Sequence, residues 1–213
     1  MRLVSTVKYN DLISYSSKFK KTLCETSKDE QHNEYMTNCK MNVIDFDEYK
    51  DYYIKELNLP NIYDKQNNIK TRNIKSNDAL FVTNDEIYFI EFKNGSISQT
   101  DTFNIHTKLY DSLLIILDTL CENVSYSKKK VSYILVFNEE KKHKAKSFDS
   151  SSLQYLSSRF SELAKNEIIQ FNLHKFKDIY LNEVHTYTKS QFERNFVKKY
   201  QNIDMFEQLC VEA

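Results

Sequence analysis

The sequence predicts a mixed α/β domain with a partly antiparallel sheet, and three observations carry that prediction. Apolar residues recur at helical spacing over 44–57 and 105–120. Two stretches rich in β-branched and aromatic residues, 79–83 and 87–92, flank Asn84-Asp85. A further strand-like run, 130–137, follows the second helix. Helices interleaved with a hairpin and a later strand belong to the α/β and α+β classes. At 213 residues the chain, 1–213, reads as one domain.

Each element has a local reason. Residues 1–40 are polar, with weak helical spacing at Leu12, Tyr15, Phe19 and Leu23. In 44–57, Phe46, Tyr49, Tyr53 and Leu57 recur at three and four, and Asp45 caps the start. Leu59-Pro60 ends that helix, because the residue before proline disfavours the α region. Residues 61–77, rich in Asn and Lys, read as a strand and a loop. Asn84-Asp85 tolerates the positive φ of a tight hairpin turn. Gly95 opens a polar loop before the apolar helix. After strand 130–137 come a Lys-rich loop, a helix at 150–163, a strand at 178–188 and a helix at 190–200.

Composition excludes several classes. Lys+Arg and Asp+Glu are both 30, so a polyanion partner has to be held by a local patch or by metal. One glycine, Gly95, excludes the Gly-rich dinucleotide loop and the P-loop. Cys24, Cys39, Cys121 and Cys210 form no CxxC pair, so a zinc knuckle is not expected. Residues 1–10 lack an apolar signal segment, and the longest apolar runs, 113–117 and 133–137, are far too short for a bilayer. The expectation is a cytoplasmic protein with no membrane partner. The segment 128–146 carries seven lysines, two glutamates and His143, and reads as a solvated loop that is also able to touch phosphates. His32 has Glu34 close by but lies far from the residues that follow.

The hairpin yields the chemistry. With Asn84-Asp85 as a two-residue loop, Val82 faces Ile87, Leu80 faces Phe89 and Asp78 faces Glu91. Facing side chains lie ~4.5–5.5 Å apart on one face of the sheet. Alternation puts Lys93 on the face of Glu91. Two carboxylates and an amine thus meet at one end of an apolar hairpin. Opposed carboxylates repel, and a divalent cation removes that cost; Mg²⁺ is typically held by one or two carboxylates plus water and phosphate. A surface ion pair of Glu91 with Lys93 is the plainer alternative.

Asp78, followed thirteen residues later by Glu91-Phe92-Lys93, resembles the PD-(D/E)XK nuclease superfamily, the restriction-endonuclease-like fold. That family core is a helix, a three-stranded meander, a helix and a strand, and 44–138 can be laid onto it, with 1–43 and 139–213 as largely helical additions. The resemblance implies Asp78 and Glu91 as ligands of Mg²⁺ or Mn²⁺, with the Phe92 carbonyl contributing, and Lys93 as the catalytic lysine. It implies a polar site residue on the following helix, for which Lys108 is the candidate. It also implies a glutamate on the first core helix, either Glu48 or Glu56. Asn77 stands where the family name has proline. The implied activity is metal-dependent hydrolysis of nucleic-acid phosphodiesters, DNA ahead of RNA. An RNA endonuclease, or a non-catalytic interaction module on a degenerate nuclease fold, are the alternatives. The oligomeric state is not readable.

Overall fold

A computed structural model describes Leu12 and residues 17–63, 65–95, 98–138 and 169–206. The sheet begins with β1 (Lys20–Thr22), followed by the single-turn helix α1 (Leu23–Thr26). The weak helical spacing of the N-terminal segment falls on short helical turns at Ser17–Phe19 and Leu23–Thr26. Between them β1 pairs antiparallel with β2 (Asn42–Asp45), Lys21 opposite Val43. Its Lys-Lys-Thr side chains stay at the surface of an edge strand, so no hydrophobic pattern announces it. Between them, Lys28–Asp29 and Glu34–Tyr35 form a small antiparallel ribbon.

Helix α2 (Phe46–Glu56) starts where predicted, with the Asp45 carboxylate accepting the Glu48 N–H at 3.0 Å. Phe46 and Tyr49 form its buried face, and Phe46 packs edge-on against Phe89 at 5.4 Å. The helix lies between the first and second strands of the antiparallel meander, not ahead of it. The predicted strand and loop at 61–77 is a short exposed ribbon, Ile62–Tyr63 with Ile69–Lys70.

The hairpin of β3 (Ala79–Val82) and β4 (Ile87–Lys93) has the predicted register: Val82 faces Ile87 and Leu80 faces Phe89. Thr83 N–H closes the turn onto the Glu86 carbonyl at 2.8 Å. Helix α3 (Gln99–Thr119) opens on a capping box of Ser98 and Asp101 and buries Ile105, Leu109, Leu113 and Ile116. Helix α4 (Val124–Lys130) leads into β5 (Val131–Phe137), parallel to β4 and buried throughout. A strand covered on both faces reads as one apolar run, which is why it is visible in the sequence.

Strand β6 (Val184–Thr188) extends the sheet in parallel beside β5 and begins six residues later than predicted. Helix α5 (Lys189–Phe192) then passes through a π turn, Glu193–Val197, into α6 (Lys198–Tyr200). The expected helix at 150–163 lies outside the described residues, as do Cys210, His143 and the lysines of 141–146.

The result is one six-stranded mixed sheet whose order, β1-β2-β3-β4-β5-β6, follows the chain. Phe46 of α2 and Lys108 of α3 meet Phe89 and Glu91 on one face. The C-terminal helical segment covers the other face, where Phe81, Tyr88 and Phe92 pack on Phe196, Tyr200 and Phe192. Strands from 20–22 and 184–188 join the sheet, so the sheet extends beyond 44–138 on both sides.

Candidate active site

Asp78 falls one step beyond the last β3–β4 ladder pair, Ala79 with Ile90. Its backbone carbonyl accepts the Phe46 N–H at 3.2 Å, tying it to the start of α2. Its Oδ2 accepts the Phe92 N–H at 2.6 Å. Asp78 is thereby bonded to the strand that carries Glu91, on the side of the sheet that faces α3. Just upstream, Asn77 N–H donates to Ser112 Oγ on α3 at 2.9 Å and Lys75 N–H to Asp111 at 2.8 Å, so 75–78 is laid along that helix.

Lys108, one turn from Ser112, closes the group. Its ammonium lies 3.0 Å from Asp78 Oδ1 and 2.8 and 3.0 Å from the two oxygens of Glu91. The amine between the carboxylates is therefore Lys108 and not Lys93, which strand alternation alone would place there. Lys93 sits at the strand's end, where Asp101 in the first turn of α3 holds its ammonium at 2.7 Å. The N-terminal turn that attracts Asp101 also supplies this partner.

The electrostatics follow from burial. Glu91 is only 3% exposed. Burial, and then the like charge of Asp78, pushes its carboxyl up to about 8 against the pull of Lys108. Burial likewise leaves Asp78 raised, although Lys108 and the Phe92 N–H oppose it. Burial works against the Lys108 charge, but Glu91 and Asp78 outweigh it and hold that ammonium well above the ordinary lysine value. Behind them, the buried Tyr133 hydroxyl has no hydrogen-bond partner among the described residues. Burial, together with the charges of Glu91 and Asp78, raises it too.

A cleft of about 600 Å³ opens in front of this group, lined by Asp78, Lys93, Asp45, Asp47, Lys21 and His32 among others. Asp78 lines it directly, with 19% of its side chain exposed. Of the two glutamates expected on α2, Glu48 is bound by Lys21 at 2.8 Å and Glu56 is exposed at the far end of the helix. Neither lines the cleft. Asp45 and Asp47 do so from the same helix start, and the sequence pattern conceals them because Asp45 already has a role as a cap.

The donor set fits a hard divalent cation in one respect that the structure itself supplies. Three carboxylate oxygens converge on one positive centre, the Lys108 ammonium. Among the described residues no third His, Cys, Asp or Glu completes a ligand group. Two carboxylates, with water and phosphate filling the remaining positions, suffice for Mg²⁺. The Phe92 N–H is spent on Asp78, and its ring packs on Phe192 on the opposite face. No described helix is long and apolar enough to cross a membrane.

Comparison with known proteins returns no relative: no protein-family model, no curated protein and no solved structure matches the chain.

Proposed function

We propose that the chain is a divalent-metal-dependent nuclease of the PD-(D/E)XK type, acting on duplex DNA ahead of RNA. The observation that carries this reading is the convergence of Asp78 and Glu91, from neighbouring strands, on one cationic position beside an open cleft. The meander β2-β3-β4, the helix α3 and the parallel strand β5 support the restriction-endonuclease-like assignment.

In this reading Asp78 and Glu91 hold Mg²⁺ or Mn²⁺, with the Phe92 carbonyl as a further candidate. The ion, when bound, supplies charge stabilisation to the phosphoryl oxygens. Lys108 neutralises the carboxylates until then and turns toward the phosphate afterwards. Lys93, at the cleft wall, orients the attacking water.

Plasmid DNA and a mixed single-stranded RNA, incubated with Mg²⁺, Mn²⁺ or EDTA, test it. Metal-dependent cutting is expected, abolished in Asp78→Ala and Glu91→Ala and strongly slowed in Lys93→Ala. Cutting that persists in Asp78→Ala refutes the assignment, and preference for RNA reverses the substrate order.

The Lys108 ammonium also favours a second reading, because an internal cation already offsets one of the two carboxylate charges with no metal. A non-catalytic module on this fold predicts no Mg²⁺ or Mn²⁺ binding by calorimetry and an unchanged partner function in Asp78→Ala.

A further inference from the structure

The ribbon of Lys28–Asp29 and Glu34–Tyr35 brings a histidine to the cleft that contains Asp78 and Lys93. His32 Nδ1 lies 2.7 Å from Asp29 Oδ2. The same Asp29 oxygen accepts Asn94 Nδ2 at 2.9 Å, and its other oxygen accepts the N–H groups of Gln31 and His32 at 3.0 and 3.4 Å. Burial opposes the Asp29 charge, but these bonds outweigh it and hold the carboxyl at about 2. An ionised carboxylate only accepts, so His32 Nδ1 is the donor of this bond.

The ribbon is fixed to the sheet. Asn94, the residue after Lys93, is buried and bonds both Asp29 and Glu34 through its amide nitrogen. Its oxygen accepts Asn138 Nδ2 at 2.8 Å, and Asn138 N–H donates to the Lys93 carbonyl at 3.1 Å. The carboxylate that orients His32 is thus anchored to the ends of β4 and β5, the strand that carries Glu91 and its parallel neighbour. Ligands of open α/β sheets gather at the carboxyl ends of such strands. The His32 side chain is 53% exposed, and no described residue bonds its Nε2.

We propose that His32 gives the proton to the leaving oxygen of the phosphodiester, with Asp29 as its positioning residue. This rests on the nuclease reading. Water attacks phosphorus and forms the new P–O bond, its surplus proton passing to solvent. The P–O bond to the leaving group breaks, and that oxygen takes the Nε2 proton. The neutral ring then recovers a proton from solvent. Neither Lys108 nor Glu91 lines the cleft, whereas His32 does. Of the charges near the ring, Lys28 and Glu30 pair with each other at 2.8 Å, and Lys93 is held by Asp101. With Nδ1 donating to Asp29, Nε2 is the ring nitrogen left to face the leaving oxygen.

The test uses duplexes whose scissile bridging oxygen is kept or is replaced by sulfur, at the 3′ and at the 5′ side. A sulfur leaving group departs without a proton. In single-turnover cleavage, His32→Gln should slow the oxygen substrate by about 100-fold or more, the scale of general acid catalysis, and the sulfur substrate by only about 3-fold or less. Asp29→Asn should show the same selective rescue with a smaller loss, about 10-fold. The sulfur substrate doubles as the folding control. His32→Gln cutting the oxygen substrate at the wild-type rate, or slowing both substrates equally, overturns the proposal while leaving the nuclease reading intact. Wild-type protein that cuts neither substrate brings down the nuclease reading and this proposal with it.

Discussion

Glu91 and Asp29 belong to the inner and outer parts of one candidate site, yet the fold drives their carboxyls in opposite directions. Glu91, beneath α3, is pushed up to about 8, and Asp29, on the ribbon at the cleft, is held at about 2. Donor supply makes the difference. Among the described residues, Glu91 receives hydrogen bonds from Lys108 alone, whereas Asp29 receives them from His32, Asn94 and two backbone N–H groups. In the inner pocket two carboxylates share one ammonium, so one negative charge is left over when all three are ionised. Burial relieves that excess by holding the proton on Glu91 up to about pH 8. The outer ribbon is a pre-organised strut that needs nothing further. Carboxyls pushed apart in this way are a signature of divided roles at a site.

The largest effect should come from removing the cation of the inner pocket. Lys108→Ala leaves Asp78 and Glu91 facing each other with no counter-charge, and breaking a buried pair from one side costs about 3–5 kcal/mol. Urea unfolding at pH 8 is the measurement. Saturating Mg²⁺ should restore part of the loss, about 2.7 kcal/mol at a hundredfold excess over Kd. A Lys108→Ala protein as stable as wild type would show that the two carboxyls need no counter-charge, and the contrast with Asp29 would collapse.

Next in size is the response to pH, and the two carboxyls predict opposite signs. The folded Glu91 binds its proton more tightly than the ordinary value of 4.5 implies. The stability it contributes is complete below that value and is lost as pH rises through about 8. Asp78, also raised, acts in the same direction. Asp29, lowered from 3.8, contributes stability that is present above that value and lost as pH falls through about 2. The metal-free urea midpoint should therefore decline between pH 5 and 9 in wild type and flatten in Glu91→Gln. Glu91→Gln and Asp78→Asn should both be more stable than wild type at pH 8, because each removes the surplus charge. Lower stability in both would mean that the carboxylates serve as structural acceptors.

The inner pocket is largely legible in the sequence and the outer ribbon hardly at all, for a physical reason. Val82 opposite Ile87 and Leu80 opposite Phe89 follow from a two-residue turn and the period of a strand, so Asp78 beside Glu91 can be counted out. Lys108 is a candidate only through the family resemblance, which implies a polar site residue on the helix after the hairpin, and its position between the carboxylates depends on how α3 packs. Lys93 lies on the expected strand with an unexpected partner, since a helix cap residue, Asp101, competes for it. The contacts of Asp29 with Asn94 span 65 positions and involve strands of two residues each. No periodicity reports such a contact. The edge strand β1 escapes for a related cause: three polar residues pair through their backbones, which side-chain patterns do not record.

The smallest stability effect should fall on Lys93, and it sharpens the contrast between the two lysines. Its partner Asp101 is held at about 2, by Lys93 first and then by Ser98. The pair is partly open to water, with side chains 33% and 25% exposed. Such pairs are worth roughly 0.2–1 kcal/mol and weaken further in salt. Lys93→Ala should shift the urea midpoint by no more than that, and by less in 0.5 M NaCl, while Lys108→Ala costs several times as much. In cleavage the two should both be impaired, so that stability separates them where activity does not. If Lys93→Ala instead unfolds as easily as Lys108→Ala, the Asp101 contact holds α3 to the sheet. The wall of the cleft is then as structural as its floor.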